Sequence, residues 1–170
     1  MKAKPAASGV QRGSRPTAQA LAVLAETQLQ NASVRVTAAR VKVLAALLGA
    51  GRAFSHQDVQ DTLADMDRVT LYRALDCLTD AGLAHKISGD DRVFRYSAGA
   101  EHAAPRRHQT AQPQHQHGHF KCTRCARVFC LDSIGEADLL RNALRETLGK
   151  GFQSHDIEFT IKGWCADCAH

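Results

Sequence analysis

Two pairs of cysteines with Cys-x-x-Cys spacing, Cys122/Cys125 and Cys165/Cys168, are the residues of this 170-residue chain best suited to chemistry. Four thiolates in two close pairs can surround one Zn²⁺ tetrahedrally, with Zn–S distances of about 2.3 Å, and each pair brings two ligands together at a small cost in loop entropy. The interval between the pairs is longer than in a compact zinc ribbon, so a folded element must lie there. Buried or redox-active thiols are the alternative, but the spacing favours one structural zinc per subunit.

Histidines directly before the first pair predict a second metal site. His117 and His119 are two residues apart, and alternate positions of a strand direct their side chains to the same face, as a shared metal requires. Cys130 stands outside both pairs, and its alternatives are a metal ligand or a small core residue. Cys77 falls within a predicted helix, where it is expected to pack as a small apolar residue.

Composition and charge limit the class of protein. The chain is 44% hydrophobic, which is enough for ordinary cores, and it contains no run of about 18 apolar residues that could span a membrane. Residues 1–16 carry four basic residues and no acidic one, and they lack the apolar core of a signal peptide, so they predict a disordered basic tail. Six cysteines in an unsecreted chain indicate reduced ligands and a cytoplasmic location. The net charge of +5 is weak evidence for a nucleic-acid partner.

The elements that must position these residues begin with four helices, each predicted by an apolar face and three of them also by a cap. The first covers residues 17–30, the second begins near Thr37 and covers 38–48, the third covers 56–63 and the fourth 68–81; the predicted caps are Thr17, Ser55 and Asp67. Residues 83–87 and 92–96 then predict a β-hairpin. Three helices followed by a two-stranded wing, with one helix in front, is the order of a winged helix-turn-helix over residues 17–96.

The fourth helix is the one that would enter the major groove of DNA. Its apolar residues Leu71, Leu75 and Leu78 share one face, which leaves the polar side chains on the other sides. Those candidates for contacting bases and phosphates are Thr70, Tyr72 and Arg73. A solvated helix face is the alternative for Tyr72 and Arg73. His56 follows the cap of the third helix and is expected to have no role.

The second half of the chain predicts a separate, small domain. Residues 97–116 contain two prolines and little apolar content, which is typical of a hinge. Residues 117–170 then predict two short strands, an amphipathic helix from Ile134 to Leu148 and a last strand over 155–163. So small a domain has little core and needs a metal, a partner subunit or both. The hinge also holds three histidines that are expected to be solvated: His102, His108 and His115.

With these residues in view, the chain resembles the ferric uptake regulator (Fur) family of metal-dependent bacterial repressors, and within it the zinc uptake regulator (Zur) branch. The resemblance implies an α+β protein in which a winged-helix DNA reader precedes an α/β dimerisation domain with a four-cysteine zinc site. It also implies that Arg35, Arg40 and Lys42 contact DNA. The matching motifs are Arg35-x-Thr37-x-x-Arg40, Thr70-Leu71-Tyr72-Arg73-Ala74-Leu75, His117-x-His119-Phe120-x-Cys122-x-x-Cys125 and Gly163-x-Cys165-x-x-Cys168.

The resemblance further implies a sensory metal site built from both sides of the hinge. Its ligands would be His85 in the wing, His117, His119 and Cys130, which stands where relatives often have a carboxylate. Thiolate is softer than carboxylate, so this set favours Zn²⁺ over Mn²⁺ or Fe²⁺. The wing position that supplies Glu or Cys in relatives holds Arg95 or Tyr96, neither of which is expected to bind metal. A third site known in some relatives is not expected, because little remains to form it: Glu136 and His155.

Together these features predict a zinc-responsive repressor of zinc-uptake genes, with one structural and one regulatory zinc per subunit. A homodimer would read a pseudo-palindromic operator in double-stranded DNA, with Tyr72 against a thymine methyl, when zinc fixes the angle between reader and dimer core. No membrane or small-molecule substrate is expected as a partner. An iron-, manganese- or peroxide-sensing regulator of the same family stays open, and so does, more remotely, a zinc enzyme, for which the chain lacks an HExxH motif.

Overall fold

The computed structural model describes residues 16–89, 91–98, 118–131, 146–147 and 159–169. In the first two segments, four helices precede and flank a small sheet, as the sequence predicts. The helices are α1 (Ala18–Asn31), α2 (Ala38–Ala50), α3 (His56–Thr62) and α4 (Arg68–Asp80). None of the helices in these segments is long and apolar enough to cross a membrane.

The three predicted N-caps are confirmed, and Thr37, near which the second helix is predicted to begin, is a cap as well. Thr17 and Thr37 accept hydrogen bonds from the backbone N–H groups of the first turns of α1 and α2. Ser55 forms a reciprocal capping box with Asp58 at the start of α3, and the carboxylate of Asp67 accepts the N–H of Thr70 at 2.9 Å. These caps satisfy backbone donors that have no partner within the helix, and so they fix where each helix begins.

The wing is a three-stranded antiparallel sheet rather than the predicted hairpin alone. Strands β2 (Ala84–Ser88) and β3 (Phe94–Ala98) form the hairpin, and β1 (Phe54–Ser55) pairs with the other edge of β3. The two-residue strand β1 was not predicted. Strand β3 continues through Ala98, so the first two residues of the predicted hinge are strand.

The core of this winged-helix unit lies between the helices and the face of the wing that they cover. Its central side chains are essentially inaccessible to solvent, and truncating one such leucine to alanine costs about 2–5 kcal/mol of stability. The predicted buried face of α4 is confirmed, because its three leucines belong to this core. The largest fully buried members are Leu29, Val43, Leu44, Val59, Leu71, Leu75, Leu78 and Tyr96.

The remaining strands form a second three-stranded sheet, here called the C-terminal sheet. Strand β4 (Gly118–Cys122) lies in the centre, antiparallel to β5 (Val128–Leu131) and parallel to β6 (Phe159–Gly163). A side chain at Gly118 would meet the ring of Phe159 on the neighbouring strand, which would have to move. A 3₁₀ turn, Ala166–Cys168, follows β6.

Several predicted features lie outside the described residues. They include the basic tail as far as residue 15, hinge residues 99–116, His117 and most of the helix predicted from Ile134 to Leu148, of which residues 146–147 are described and helical. The hinge histidines, Glu136 and His155 also lie outside them.

Candidate metal centre and nucleic-acid interface

The two Cys-x-x-Cys pairs meet at one end of the C-terminal sheet. Cys122 ends β4, Cys125 follows in the turn to β5, and Cys165 and Cys168 lie at the 3₁₀ turn after β6. Their four sulfur atoms are all within 4.8 Å of one another, and the Sγ atoms of Cys125 and Cys165 are 3.7 Å apart. This donor set matches a closed, tetrahedral zinc site with four thiolate ligands, which is how the sequence predicts these residues to act.

Hydrogen bonds shift the pKa values of two of these sulfurs in opposite directions. Backbone N–H groups of Cys125 and Cys165 donate to the Sγ of Cys122, the latter at 3.4 Å, and they lower the pKa of this thiol. By contrast, hydrogen bonds to the sulfurs of Cys165 and Cys125 raise the pKa of Cys168. A divalent cation would replace the proton of such a thiol, since the thiolate is the form that binds metal.

Contacts between the two cysteine loops hold the cluster in place. The N–H of Thr123 donates to the carbonyl oxygen of Gly163 at 2.8 Å. The guanidinium of Arg124 lies 3.8 Å from the centre of the Trp164 ring and donates to the carbonyl oxygen of Cys168 at 2.5 Å. The loops are therefore joined by the chain's own hydrogen bonds as well as by the sulfurs.

A second cluster joins the wing to the C-terminal sheet. It consists of His85 on β2, His119 on β4 and Cys130 on β5, whose ligand atoms also lie within 4.8 Å of one another. The Nε2 atom of His85 is 3.4 Å from the Sγ atom of Cys130, and the two imidazole rings are 5.8 Å apart. His119 is directly opposite Cys130 in the β4–β5 register and is 2% exposed.

The donors of this second cluster fit a zinc ion. Two imidazoles and one thiolate are preferred zinc ligands, and three protein ligands leave one coordination position for a fourth. His117, the fourth predicted ligand, lies outside the described residues. The wing residues that the sequence excludes have other partners, because Arg95 binds Asp91 at 2.7 Å and Tyr96 is 1% exposed in the core.

The polar face of α4 is open to solvent. Tyr72 is 45% exposed and Arg73 is also exposed, whereas Thr70 is half-buried beside the helix cap. These side chains lie off the face whose leucines α4 buries, so the helix can present them to DNA.

The basic residues expected to contact phosphates are already engaged within the chain. The ammonium of Lys42 pairs with the carboxylate of Asp65 at 2.7 Å, and both side chains are largely exposed. The guanidinium of Arg40 donates to the carbonyl oxygen of Arg35 at 2.7 Å, which joins the residues before α2 to its first turn. The sequence did not indicate the Asp65 contact, because the two partners lie 23 positions apart.

The expectation that His56 has no role misses two aromatic contacts. Its ring centre lies 4.1 Å from that of Tyr72 and 4.8 Å from that of Tyr96. No spacing in the sequence predicts these two contacts; the aromatic residue types are the one available signal.

Comparison with known proteins identifies the family of this chain. The model of the ferric uptake regulator family matches residues 31–162. The chain belongs to the ferric uptake regulator family. Members of this family are transcriptional regulators, so the zinc enzyme considered as a remote alternative is excluded.

Relatives within the family include ferric uptake and zinc uptake regulation proteins. The transcriptional regulator FurA of Mycobacterium tuberculosis is 31% identical over 150 residues, which cover 84% of this chain and 88% of the relative. The zinc uptake regulation protein of Escherichia coli is 29% identical over 156 residues, which cover 89% of this chain and 83% of the relative. A structure of a zinc uptake regulator complexed with zinc and DNA has a TM-score of 0.59 and 26% identity, and covers 89% of this chain and 95% of that one.

Proposed function

We propose that this chain is a cytoplasmic, zinc-responsive repressor of metal-uptake genes that binds double-stranded operator DNA as a homodimer. The observation that carries the proposal is the second cluster, in which His85 of the wing lies within metal-binding distance of His119 and Cys130 of the C-terminal sheet. A zinc ion held by all three would tie the DNA-reading unit to the sheet. Zinc occupancy would thereby select one orientation of the reader.

The choice of zinc rests on the donors and on the relatives. A thiolate at Cys130 in place of a carboxylate favours zinc over iron or manganese. The similarity to the zinc uptake regulator solved with zinc and DNA supports both the metal and the partner. We propose that His117 supplies the fourth ligand of this regulatory zinc, one per subunit.

The four-cysteine cluster would hold a second, structural zinc in each subunit. It joins the turn after β4 to the end of β6, segments about 40 positions apart in the sequence. Because the metal would close this long loop, its binding energy contributes directly to folding. We expect Cys165→Ser to lose this zinc and the folded dimer; a stable metal-free dimer would contradict a structural role.

The DNA-reading surface would be the exposed side of α4 together with the start of α2. Tyr72 and Arg73 would reach base edges, with Thr70 at the start of the helix, and Arg40 and Lys42 would bind phosphates beside Arg35. In a homodimer, the two α4 helices would occupy successive major grooves, about 34–36 Å apart.

The test is DNA binding against buffered free metal. A duplex selected from a random pool by the zinc-loaded protein serves as the probe, and Zn²⁺, Fe²⁺ and Mn²⁺ are titrated separately with metal counted per subunit. We expect one zinc that survives chelation and one exchangeable zinc whose binding switches on DNA affinity. His119→Ala and Cys130→Ala should abolish that switch and leave a folded dimer, whereas Cys77→Ala, a cysteine outside both clusters, should retain it.

The rival regulators of the same family predict different outcomes. An iron or manganese sensor would bind the probe at a lower free concentration of Fe²⁺ or Mn²⁺ than of Zn²⁺. A peroxide sensor would carry iron and release DNA when hydrogen peroxide is added. Zinc-dependent binding that persists in both cluster variants would overturn the assignment of the sensory site.

A further inference from the structure

His56 lies between an exposed tyrosine of the DNA-reading helix and a buried tyrosine of the wing. Its ring centre is 4.1 Å from that of Tyr72, with the planes inclined by 37°, and 4.8 Å from that of Tyr96 in an edge-on arrangement at 75°. Both distances are short for aromatic pairs, which attract one another at centre separations below about 7 Å. The imidazole therefore contacts both tyrosines at once.

The buried side of this contact is rigid. Tyr96 is 1% exposed and lies on the central strand of the wing, where it pairs with Phe54 of β1 and Lys86 of β2. Burial raises its pKa to about 12, so the ring remains neutral at physiological pH. The buried ring of Tyr96 thus packs against the imidazole from the core side.

The backbone of His56 is fixed as well. It is the first residue of α3, directly after the cap Ser55, whose hydroxyl and N–H both contact the carboxylate of Asp58. Arg52 binds the same carboxylate at 2.8 Å. The imidazole is therefore supported from its own helix and from the wing.

The ring of Tyr72 is partly open to solvent. Its side chain is 45% exposed, and its ring centre lies 4.1 Å from that of the imidazole. A surface tyrosine without such a neighbour would exchange between rotamers, and ordering it on DNA would cost affinity. Contact with His56 restricts this freedom before DNA arrives.

We propose that His56 is a positioning residue that holds the ring of Tyr72 in place for reading a base in the major groove. The inference rests on the proposed function of Tyr72 in DNA recognition. His56 itself contacts the tyrosine and not the base, and it acts through the stacked ring pair.

The contact depends on the aromatic ring rather than on a hydrogen bond. The Nε2 atom of His56 is buried and has no hydrogen-bond partner among the described residues. Burial and the nearby ammonium of Lys86 lower the pKa of His56. The carboxylate of Asp76 acts in the opposite direction but does not cancel this shift. A neutral ring of similar size should therefore replace the imidazole, whereas an aliphatic side chain should not.

This distinction defines the experiment. His56→Phe keeps an aromatic ring, His56→Leu removes it, and Gln57→Ala, an exposed neighbour on the same helix, is the matched control. Each zinc-loaded full-length variant is titrated with the selected duplex and with duplexes in which single thymines are replaced by uracil, which lacks the methyl group. The ratio of the two affinities measures how well the protein reads that methyl.

We expect the wild type, His56→Phe and Gln57→Ala to share one thymine-to-uracil ratio. His56→Leu should lose affinity for the thymine duplex by about three- to tenfold and lower the ratio towards one. Tyr72→Ala should have the same effect, and adding His56→Leu to it should cause no further loss. If His56→Leu lowers the melting temperature, His56→Gln takes its place as the variant without an aromatic ring.

Two outcomes would overturn the inference. One is an unchanged ratio in folded His56→Leu, and the other is a Tyr72→Ala variant that still distinguishes thymine from uracil. Failure of the proposed function is recognised separately, because the wild type would then bind the duplex equally well with and without zinc.

Discussion

The backbone N–H of Ala53 donates a hydrogen bond of 2.8 Å to the carbonyl oxygen of Val128. Ala53 directly precedes β1 of the wing, and Val128 begins β5 of the C-terminal sheet. Together with Ile87 of β2, these residues form a small apolar cluster, and all three are at most 4% exposed. The two halves of the chain are therefore in contact beside the second cluster, through groups that bind no metal.

The apolar cluster and the proposed metal ligands share strands and faces. Ile87 is two residues from His85 on β2, and Val128 is two residues from Cys130 on β5. Side chains two positions apart on a strand lie on the same face. Packing at Ile87 and Val128 therefore helps to keep His85 and Cys130, the two proposed ligands, close to each other.

We accordingly expect Val128→Ala to weaken the exchangeable zinc without touching a ligand. Truncating the side chain removes apolar contact between the two sheets and costs about 1 kcal/mol or more, which corresponds to about a fivefold loss of affinity. Competition with a zinc chelator measures the affinity of the second cluster, and the zinc of the four-cysteine cluster should remain bound.

The control for this change is Val93→Ala, which removes the same atoms from a side chain that is 42% exposed at the wing. It should bind zinc as the wild type does. Equal zinc affinities of Val128→Ala and Val93→Ala would show that the apolar cluster does not support the metal site.

Local signals explain why much of the fold could be predicted from the sequence. The caps Thr17, Thr37, Ser55 and Asp67 act on backbone groups within three residues, so their effect is visible in a short stretch of sequence. The Cys-x-x-Cys pairs are similarly local. The prediction of the second cluster, by contrast, depended on the family resemblance, since His85 and Cys130 are 45 positions apart in the sequence.

The contacts that could not be predicted are those without a local pattern. Strand β1 has only two residues, too few for a periodicity to emerge. His56 meets its two tyrosines only because α3, α4 and the wing pack together. Such contacts follow from the tertiary fold, which single-residue spacing does not specify.

The ion pair between Lys42 and Asp65 leads to a prediction about DNA affinity. Lys42 is expected to bind a phosphate, yet its ammonium lies 2.7 Å from the carboxylate of Asp65. Asp65→Asn removes a negative charge that would face DNA and frees the lysine, so we expect DNA affinity to rise several-fold at low salt and less at high salt. Binding assays over a salt series test this. Asp61→Asn is the matched charge control, and an equal gain there would mean that general charge alone is responsible.

The capping box of α3 should give the stability of the protein a defined pH dependence. Partial burial of Asp58 opposes its ionisation, but hydrogen bonds from Arg52 and Ser55 outweigh burial and lower its pKa from 3.8 to about 2. The ionised group therefore stabilises the fold above about pH 4, and this contribution disappears as the pH falls towards 2. We expect Asp58→Asn to lower the free energy of unfolding by about 1 kcal/mol at neutral pH.

Urea unfolding of wild type and Asp58→Asn at a series of pH values measures that contribution. Release of zinc on acidification affects both proteins alike, so the difference between them isolates the carboxylate. The difference should shrink between pH 4 and pH 2. A difference that stays constant down to pH 3 would show that Asp58 is not ionised against Arg52 as the 2.8 Å contact indicates.

Replacing Cys130 by aspartate should change which metal the second cluster prefers. The sulfur lies 3.4 Å from Nε2 of His85 and opposite His119, so an aspartate there would leave two imidazoles and one carboxylate. Carboxylate is a harder ligand than thiolate, and the affinity for Zn²⁺ should fall by about 10- to 100-fold relative to that for Mn²⁺ or Fe²⁺. Titration of Cys130→Asp with each buffered metal measures this ratio, and Cys77→Ala, which alters a cysteine outside both clusters, is the control. If the ratio of zinc to manganese affinity is the same in Cys130→Asp and in the wild type, Cys130 is not a ligand, and the zinc preference must come from the histidines alone.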